Sequence, residues 1–311
     1  MKRVVITGPT GAIGIALIRE CIKQGIEVYA ICRPGSARIK RIPVHQGIHV
    51  VECGLDQLKN IEYSDIPTCD VFYHFGWAAT IGDGRNDTIL QTNNIKYTLD
   101  AVELAQKLGC SRFVGSGSQA EYGRVEGKLT TATPTFPENG YGIAKLCAGQ
   151  MSRLECEKRG IEHVWTRILS VYGPYDGDRT MITGTIKKLL VGEKPLLTAG
   201  EQQWDYLYSG DAACAMLAVG EKGKPGSIYC IGSGQARPLK EYICEMRDQI
   251  DPAAPLGLGE IPYGDRQVMY LCADISELKR DTGFVPQTDF QAGIAETIRW
   301  IKSEWRQYEN N

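Results

Sequence analysis

The sequence predicts an α/β protein: a doubly wound parallel sheet with a smaller C-terminal lobe. Short β-branched apolar runs alternate with helix-period segments through the first half of the chain. The first of these runs, Val4-Val5-Ile6, feeds glycines at Gly8, Gly11 and Gly14. Finally, 311 residues suffice for one large core and a smaller unit beside it.

Val4 to Ile6 has the uninterrupted apolar character of a strand buried on both faces. Ile13, Leu17, Ile18 and Ile22 then recur at helical spacing. A strand, a tight glycine turn and a helix start let the backbone approach a pyrophosphate, whose charge the free N–H groups of the helix N-terminus hold. The spacing is G-x-x-G-x-x-G, not G-x-G-x-x-G. Ile26–Ile31 is the second strand. Its end faces the adenosine ribose in a dinucleotide fold, where an acidic residue suits NAD and an arginine suits the 2′-phosphate of NADP. Arg33 stands there, with Ser36 and Arg38 nearby. NADP(H) is therefore favoured, with NAD(H) possible. His49-Val50-Val51 forms a third strand, and Leu55-Asp56 would lie beside the adenine. Val71–Phe75 is a fourth, ending in Gly76-Trp77-Ala78-Ala79, whose small residues leave room for a cofactor. Arg85–Leu108 reads as one long helix containing Asn93 and Asn94. Arg112–Gly115 is a fifth strand and runs into Ser116-Gly-Ser118-Gln119. Ligands of such sheets bind at the carboxyl ends of the strands, so Gly8, Gly76 and Ser118 should face one crevice.

Composition excludes several classes. Net charge is −2, and no basic block or arginine–aromatic interleaving suggests a nucleic-acid partner. No apolar run approaches the ~20 residues of a membrane span. The first strand starts at once, leaving no signal peptide. Eleven scattered cysteines, Cys32, Cys147, Cys214 and Cys230 among them, form no C-x-x-C pair and read as small buried hydrophobes of a cytoplasmic protein. His45 and His49 have ligand spacing for a helix, but Pro43 and Gly47 argue against one, so no metal site is expected.

Tyr141 and Lys145 open the helix that runs to about Arg159 and share one of its faces. A phenol of pKa ~10 is a poor acid–base group at neutral pH. A lysine ammonium nearby would bring it towards 7, worth roughly 4 kcal/mol. Ser118, on the preceding strand end, can hydrogen-bond the reacting oxygen. Among fifteen tyrosines this is the one Y-x-x-x-K match.

Thr7-Gly-Pro-Thr-Gly-Ala-Ile-Gly14, Ser118, Tyr141-x-x-x-Lys145 and Val171-Tyr-Gly-Pro174 together resemble the extended short-chain dehydrogenase/reductase family, within it the NAD(P)-dependent nucleotide-sugar epimerase/dehydratase group. The resemblance covers nearly the whole chain and implies a Rossmann-type dinucleotide-binding domain over 1–171, with 205–232 returning to it, and a substrate-binding lobe over 172–311. It implies Tyr141 as general acid/base, Lys145 as the group that binds the nicotinamide ribose and lowers the tyrosine's pKa, and Ser118 as the group orienting the sugar oxygen. The cofactor surface it implies comprises Gly8, Thr10, Gly11, Ala12, Ile13, Arg33, Leu55, Phe75, Gly76, Asn94, Ser116, Tyr141, Lys145 and Leu169. A homodimer through the 85–108 and 141–159 helices is a further family expectation.

The departures are informative. Nucleotide-sugar 4,6-dehydratases carry carboxylates just after the strand-end serine or threonine, and these eliminate water across C5 and C6. Here Gln119 and Ala120 hold those places, and Glu121 follows at a position usually filled by an inward-packed aliphatic. Gly54 replaces the acidic residue common after the third strand.

In the second half, Ile161–Arg167 is a strand leading through Ser170 to Tyr172-Gly-Pro174. Met181–Leu190 and Leu239–Ile250 are helices. Gln203–Tyr208 resembles the segment that returns a strand to the sheet. Trp204 stands where relatives often have a diphosphate-binding arginine; it stacks on a base or sugar, or is a buried structural residue. Arg179, Arg237 and Arg266 are the remaining diphosphate candidates. Substrate contacts are expected from Trp77, Ser118, Gln119, Ser170, Arg179, Trp204 and Arg266. Phe290, Ile294, Ile298, Ile301 and Trp305 mark a final amphipathic helix.

The function expected is reduction by NADPH of the 4-keto group of a nucleotide-linked 6-deoxyhexose, as in the assembly of cell-surface polysaccharides. The alternative is a 4-epimerase with tightly bound NAD(P). A catalytically idle nucleotide-binding regulator is the reading from another class, and the intact Ser118, Tyr141 and Lys145 set argues against it.

Overall fold

Val4 and Ile6 bury their side chains in one apolar layer and Val5 in another, as an interior strand covered on both faces requires. The computed structural model describes the backbone of residues 1–309 and the side chains of 1–304. Trp305 lies outside the residues whose side chains are described.

The first half runs β1 (Arg3–Thr7), α1 (Ala12–Lys23), β2 (Glu27–Cys32), β3 (Ile48–Glu52), β4 (Val71–His74), α2 (Thr88–Lys107), β5 (Arg112–Ser118), α3 (Gly140–Arg159) and β6 (Glu162–Ile168). It continues with β7 (Ser170–Tyr172), α4 (Met181–Leu190), β8 (Leu196–Leu197), β9 (Gln203–Trp204), β10 (Tyr206–Tyr208), α5 (Ser209–Lys222) and β11 (Ile228–Ile231). Last come β12 (Arg237–Pro238), α6 (Leu239–Ile250), β13 (Gly257–Leu258), β14 (Tyr270–Leu271), α7 (Ser276–Thr282) and α8 (Phe290–Glu309). Seven parallel strands form the main sheet in the order β11-β6-β5-β4-β1-β2-β3. Strand order reverses between β1 and β4, so a crevice opens at their carboxyl ends.

Helices cover both faces. Ile15, Leu17 and Ile18 of α1 meet Ala212, Ala213 and Met216 of α5 in one layer. Ala101, Leu104 and Ala105 of α2 and Cys156 of α3 fill the other, against Phe72 and Phe113, whose rings stack 5.7 Å apart. A separate core of Ile182 and Ile186, Tyr242, Ile243 and Met246, and Ile294, Ile298 and Ile301 joins α4, α6 and α8 into the lobe beyond β7. Eight of the eleven cysteines are buried and all are free thiols. Among the described residues no helix is long and apolar enough to cross a membrane.

Two expectations are corrected. The helix expected from Arg85 begins at Thr88, because Asp83–Asn86 forms a 3-10 turn and the Asp87 carboxylate caps the helix through the Leu90 N–H at 3.0 Å. Gln203–Tyr208 does not return to the main sheet: it splits into β9, which pairs with β12 and β14, and β10, which pairs with β7. The strand that joins the main sheet is β11, beside β6.

Candidate active site

The three glycines of the first turn have three different surroundings. Gly8 has φ +67°, and a Cβ there would meet Gly76 N at 2.7 Å. A Cβ on Gly14 would lie 2.6 Å from Gly8 O, so helix and turn pack backbone to backbone. At Gly11 nothing in the protein comes closer than 4.0 Å. A side chain at Gly11 would project only into the space above the N-terminus of α1. There the N–H groups of Ala12 and Ile13 precede the first intrahelical bond, from Ile15 to Gly11, and no acidic side chain occupies the first turn. These residues, with Thr10, fit the pyrophosphate of a dinucleotide. Arg33 lies exposed past the end of β2, with Arg38 also exposed in the 3-10 turn that follows. Leu55 packs over Gly76, as the 2.6 Å from its Cδ2 to a Cβ placed there shows.

A directional hydrogen-bond chain ties the crevice floor together. The Thr98 hydroxyl donates to Asn94 O at 2.9 Å, so His74 Nε2, 3.3 Å away, must donate to Thr98. His74 Nδ1 then accepts from the Thr7 hydroxyl at 2.8 Å, and Thr7 accepts from Gly76 N at 3.1 Å. Burial pushes His74 down to about 3, which keeps it neutral for this task. Asn94, expected at the cofactor, is 1% exposed and holds both the N–H and the carbonyl of Ala78 at 2.9 Å. It shapes the loop after β4 from behind. Gln91 does the same, donating to Ala79 O and Gly84 O and accepting from the Trp77 indole at 2.9 Å.

Ser118, Tyr141 and Lys145 come together at the carboxyl end of β5, each less than a tenth exposed. The Asn139 side chain caps α3 through Gly142 N at 2.9 Å and so fixes where Tyr141 points. Lys145 Nζ donates to Ser116 O at 2.6 Å and lies 3.8 Å from the centre of the Trp77 ring. Burial pushes this amine down to about 7, against the pull of Glu121. Burial likewise raises the Tyr141 phenol, while the Ser118 hydroxyl and the charge of Arg85 draw it back. Arg85 stacks on the phenol ring, its Cζ 4.3 Å from the centroid. Sequence reasoning passed over Arg85; the signal was Gly82-Asp83-Gly84, two glycines that make a helix through 85 unfavourable.

Glu121, the carboxylate displaced from the dehydratase pattern, is fully buried. Its Oε1 accepts from Ser118 N at 2.8 Å and from the Trp165 indole at 3.0 Å, and its Oε2 from Arg167 Nε at 2.8 Å. Three donors hold it, and it serves as a scaffold for Ser118.

Of the expected substrate residues, Gln119 and Arg266 line one cavity of about 400 Å3 with Arg85, Arg124 and Glu138. Trp77 meets Tyr141 edge-on, with ring centres 6.0 Å apart. Trp204 donates its indole N–H to Ser170 Oγ at 2.8 Å and packs into the lobe core, which favours the structural alternative for it. Arg237 is committed to Glu245 and to the face of Tyr242, and Arg179 is exposed apart from the cavity. Phe75 and Leu169 flank the crevice at the ends of β4 and β6.

The family model described as the NAD dependent epimerase/dehydratase family matches residues 4–232. The chain is 27% identical to dTDP-glucose 4,6-dehydratase of Escherichia coli over 349 aligned positions, covering 98% of this chain and 95% of the other. It is 24% identical to an uncharacterized UDP-glucose epimerase of Bacillus subtilis, covering 97% of this chain and 98% of that one. Among solved structures, an epimerase of Methanothermobacter thermautotrophicus superposes with a TM-score of 0.88 at 21% identity, covering 100% of this chain and 95% of that one. The dTDP-glucose 4,6-dehydratase of Bacillus anthracis, solved in complex with NAD, superposes with a TM-score of 0.84 at 19% identity and 98% coverage of both chains.

Proposed function

The chain belongs to the NAD dependent epimerase/dehydratase family, and from that premise we propose that it reduces the 4-keto group of a nucleotide-linked 6-deoxyhexose. One observation carries the reading. Ser118, Tyr141 and Lys145 are buried together while Gln119 and Ala120 follow the serine, and the nearby carboxylate, Glu121, is locked to Arg167. Ketone–alcohol chemistry needs only a proton donor and a hydrogen bond to the reacting oxygen. Loss of water across C5 and C6 needs a free acid–base pair, and these positions hold an amide and a methyl group. When bound, the nicotinamide cofactor supplies the hydride. Tyr141 hands its phenolic proton to the C4 oxygen as charge develops there, and Ser118 donates a hydrogen bond to the same atom. Lys145 and Ser116 hold the ribose. Arg266 and Gln119 take the diphosphate-sugar end, and the lobe over 172–311 closes around the nucleotide, with 1–171 and 205–232 as the dinucleotide unit. Eleven free thiols suit a cytoplasmic setting.

NADPH is the favoured reductant. Arg33 and Arg38 follow β2 exposed, as donors suited to a 2′-phosphate, and the Glu52 carboxylate at the end of β3 accepts from Gly35 N at 3.0 Å. Purified protein mixed with NADPH and a panel of nucleotide-linked 4-keto-6-deoxyhexoses is expected to lose reduced-nicotinamide absorbance in step with product. Arg33→Ala should cut kcat/KM for NADPH by about tenfold to a hundredfold with little effect on NADH. Absence of turnover with any keto sugar defeats the reductase reading. The second reading, a 4-epimerase retaining NAD(P), is favoured by the epimerases among the matched proteins; interconversion of 4-hydroxyl isomers without consumption of reductant would establish it.

A homodimer is the proposed assembly. Ile143, Cys147, Met151 and Leu154 form one stripe on α3, and Ile143, Met151 and Leu154 are 55%, 42% and 56% exposed. Sedimentation at micromolar concentration should give twice the monomer mass, and Leu154→Arg should halve it. A wild-type monomer overturns the assignment.

A further inference from the structure

We propose that Arg85 is a positioning residue for Tyr141: its guanidinium, laid on the phenol ring by a loop that α2 and the start of α3 hold in place, stabilises the phenolate form of the acid–base group. The proposal rests on the reading of Tyr141 as that group.

The loop is built to deliver this contact. Ala79 sits at φ +56°, a backbone strain that persists only where the surroundings enforce it. Gln91 supplies the enforcement, with its amide on Ala79 O at 3.1 Å and Gly84 O at 2.8 Å, and Asn94 fixes Ala78 beside it. On the far side Asn86 Oδ1 accepts from Gly140 N at 3.0 Å. A Cβ on Gly140 would meet Arg85 O at 2.9 Å, so the residue before Tyr141 must be bare for the loop to dock. Arg85 itself donates to Thr80 O at 2.7 Å. Among the described residues no carboxylate pairs with it within 4.0 Å, although Asp83 and Asp87 share its loop, and its half-buried charge faces the phenol ring.

Three other groups lie around the phenol. Lys145 Nζ is 5.9 Å from the ring centre and is turned to Ser116. Glu121, below Ser118, opposes ionisation, but Arg167 offsets its charge. Ser118 contributes a neutral hydroxyl. When Tyr141 gives up its proton, the guanidinium already stacked on it meets an anion without any rearrangement.

The test uses the full chain loaded with its nicotinamide cofactor and carrying 3,5-difluorotyrosine at position 141. This phenol ionises near neutrality and gives a single fluorine NMR signal. In Arg85→Gln the titration midpoint should rise by about one pH unit, a tenfold smaller phenolate-to-phenol ratio at fixed pH. Arg85→Lys should rise by less, and it carries the test if Arg85→Gln does not fold. The limb of the kcat–pH profile governed by Tyr141 should move upward by the same amount. An unchanged midpoint in a folded variant, even with lowered kcat, assigns Arg85 a merely structural part and overturns the proposal. Because the titration needs no substrate, it stands or falls separately from the reductase reading.

Discussion

Tyr141→Phe is expected to lower kcat by about three orders of magnitude while changing Tm little. The substitution removes one oxygen and keeps the ring, so the stacking of Arg85 and the edge contact of Trp77 survive. The phenol oxygen meets the Ser118 hydroxyl, a minor tie between α3 and β5, and the cap of α3 is made by Asn139. What is lost is the proton donor at the place where the C4 oxygen gains charge. Ser118 can still hydrogen-bond that oxygen, which leaves a residue of activity above the uncatalysed rate. Equal falls in kcat and kcat/KM would mark an interaction made only in the transition state. If Tyr141→Phe keeps more than about a tenth of wild-type kcat, proton transfer through this residue is too small a contribution for a general acid, and the catalytic reading fails.

The parts of the site legible in the sequence are those fixed by local physics. Gly8 betrays itself because a positive φ beside a hydrophobic strand admits little else, and the pairing of Tyr141 with Lys145 follows from one helical turn. The helices Met181–Leu190 and Leu239–Ile250 begin and end where their apolar periodicity does. Features set by distant partners were hidden. The partner that orients Lys145, the backbone carbonyl of Ser116, lies 29 residues earlier and leaves no local pattern. The place of Asn94 in sequence does not disclose that its amide pairs with the backbone N–H and carbonyl of Ala78. The two-residue strands β9 and β12 owe their pairing to the lobe core and carry no periodicity of their own. Arg85 was concealed for the same reason: its orientation is set by Gln91 and Gly140, not by the residues beside it.

Glu121 was legible as a departure and illegible as a scaffold, and it yields the second large prediction. Its side chain is fully buried, and Arg167 opposite it is 4% exposed. Taking a carboxylate and a guanidinium out of water is costly, and the pair repays that cost only while complete. Glu121→Leu strands the Arg167 charge and also orphans the buried Ser118 N–H and Trp165 indole N–H. The expected loss is about 3–5 kcal/mol, seen as a fall in Tm on the order of 10 °C. Arg167→Met alone leaves a buried carboxylate without its cation, although two N–H donors remain, and should cost somewhat less. The double variant Glu121→Leu with Arg167→Met removes both charges and should recover the share of the loss that comes from the stranded guanidinium, while the two orphaned N–H groups keep the rest. Activity should not recover with it: the Ser118 N–H stays unpaired, so the hydroxyl that meets the C4 oxygen loses its fixed backbone. Additive losses in the double variant would mean that the ion pair contributes nothing as a pair. Full recovery of turnover together with stability would show that Ser118 is positioned without Glu121.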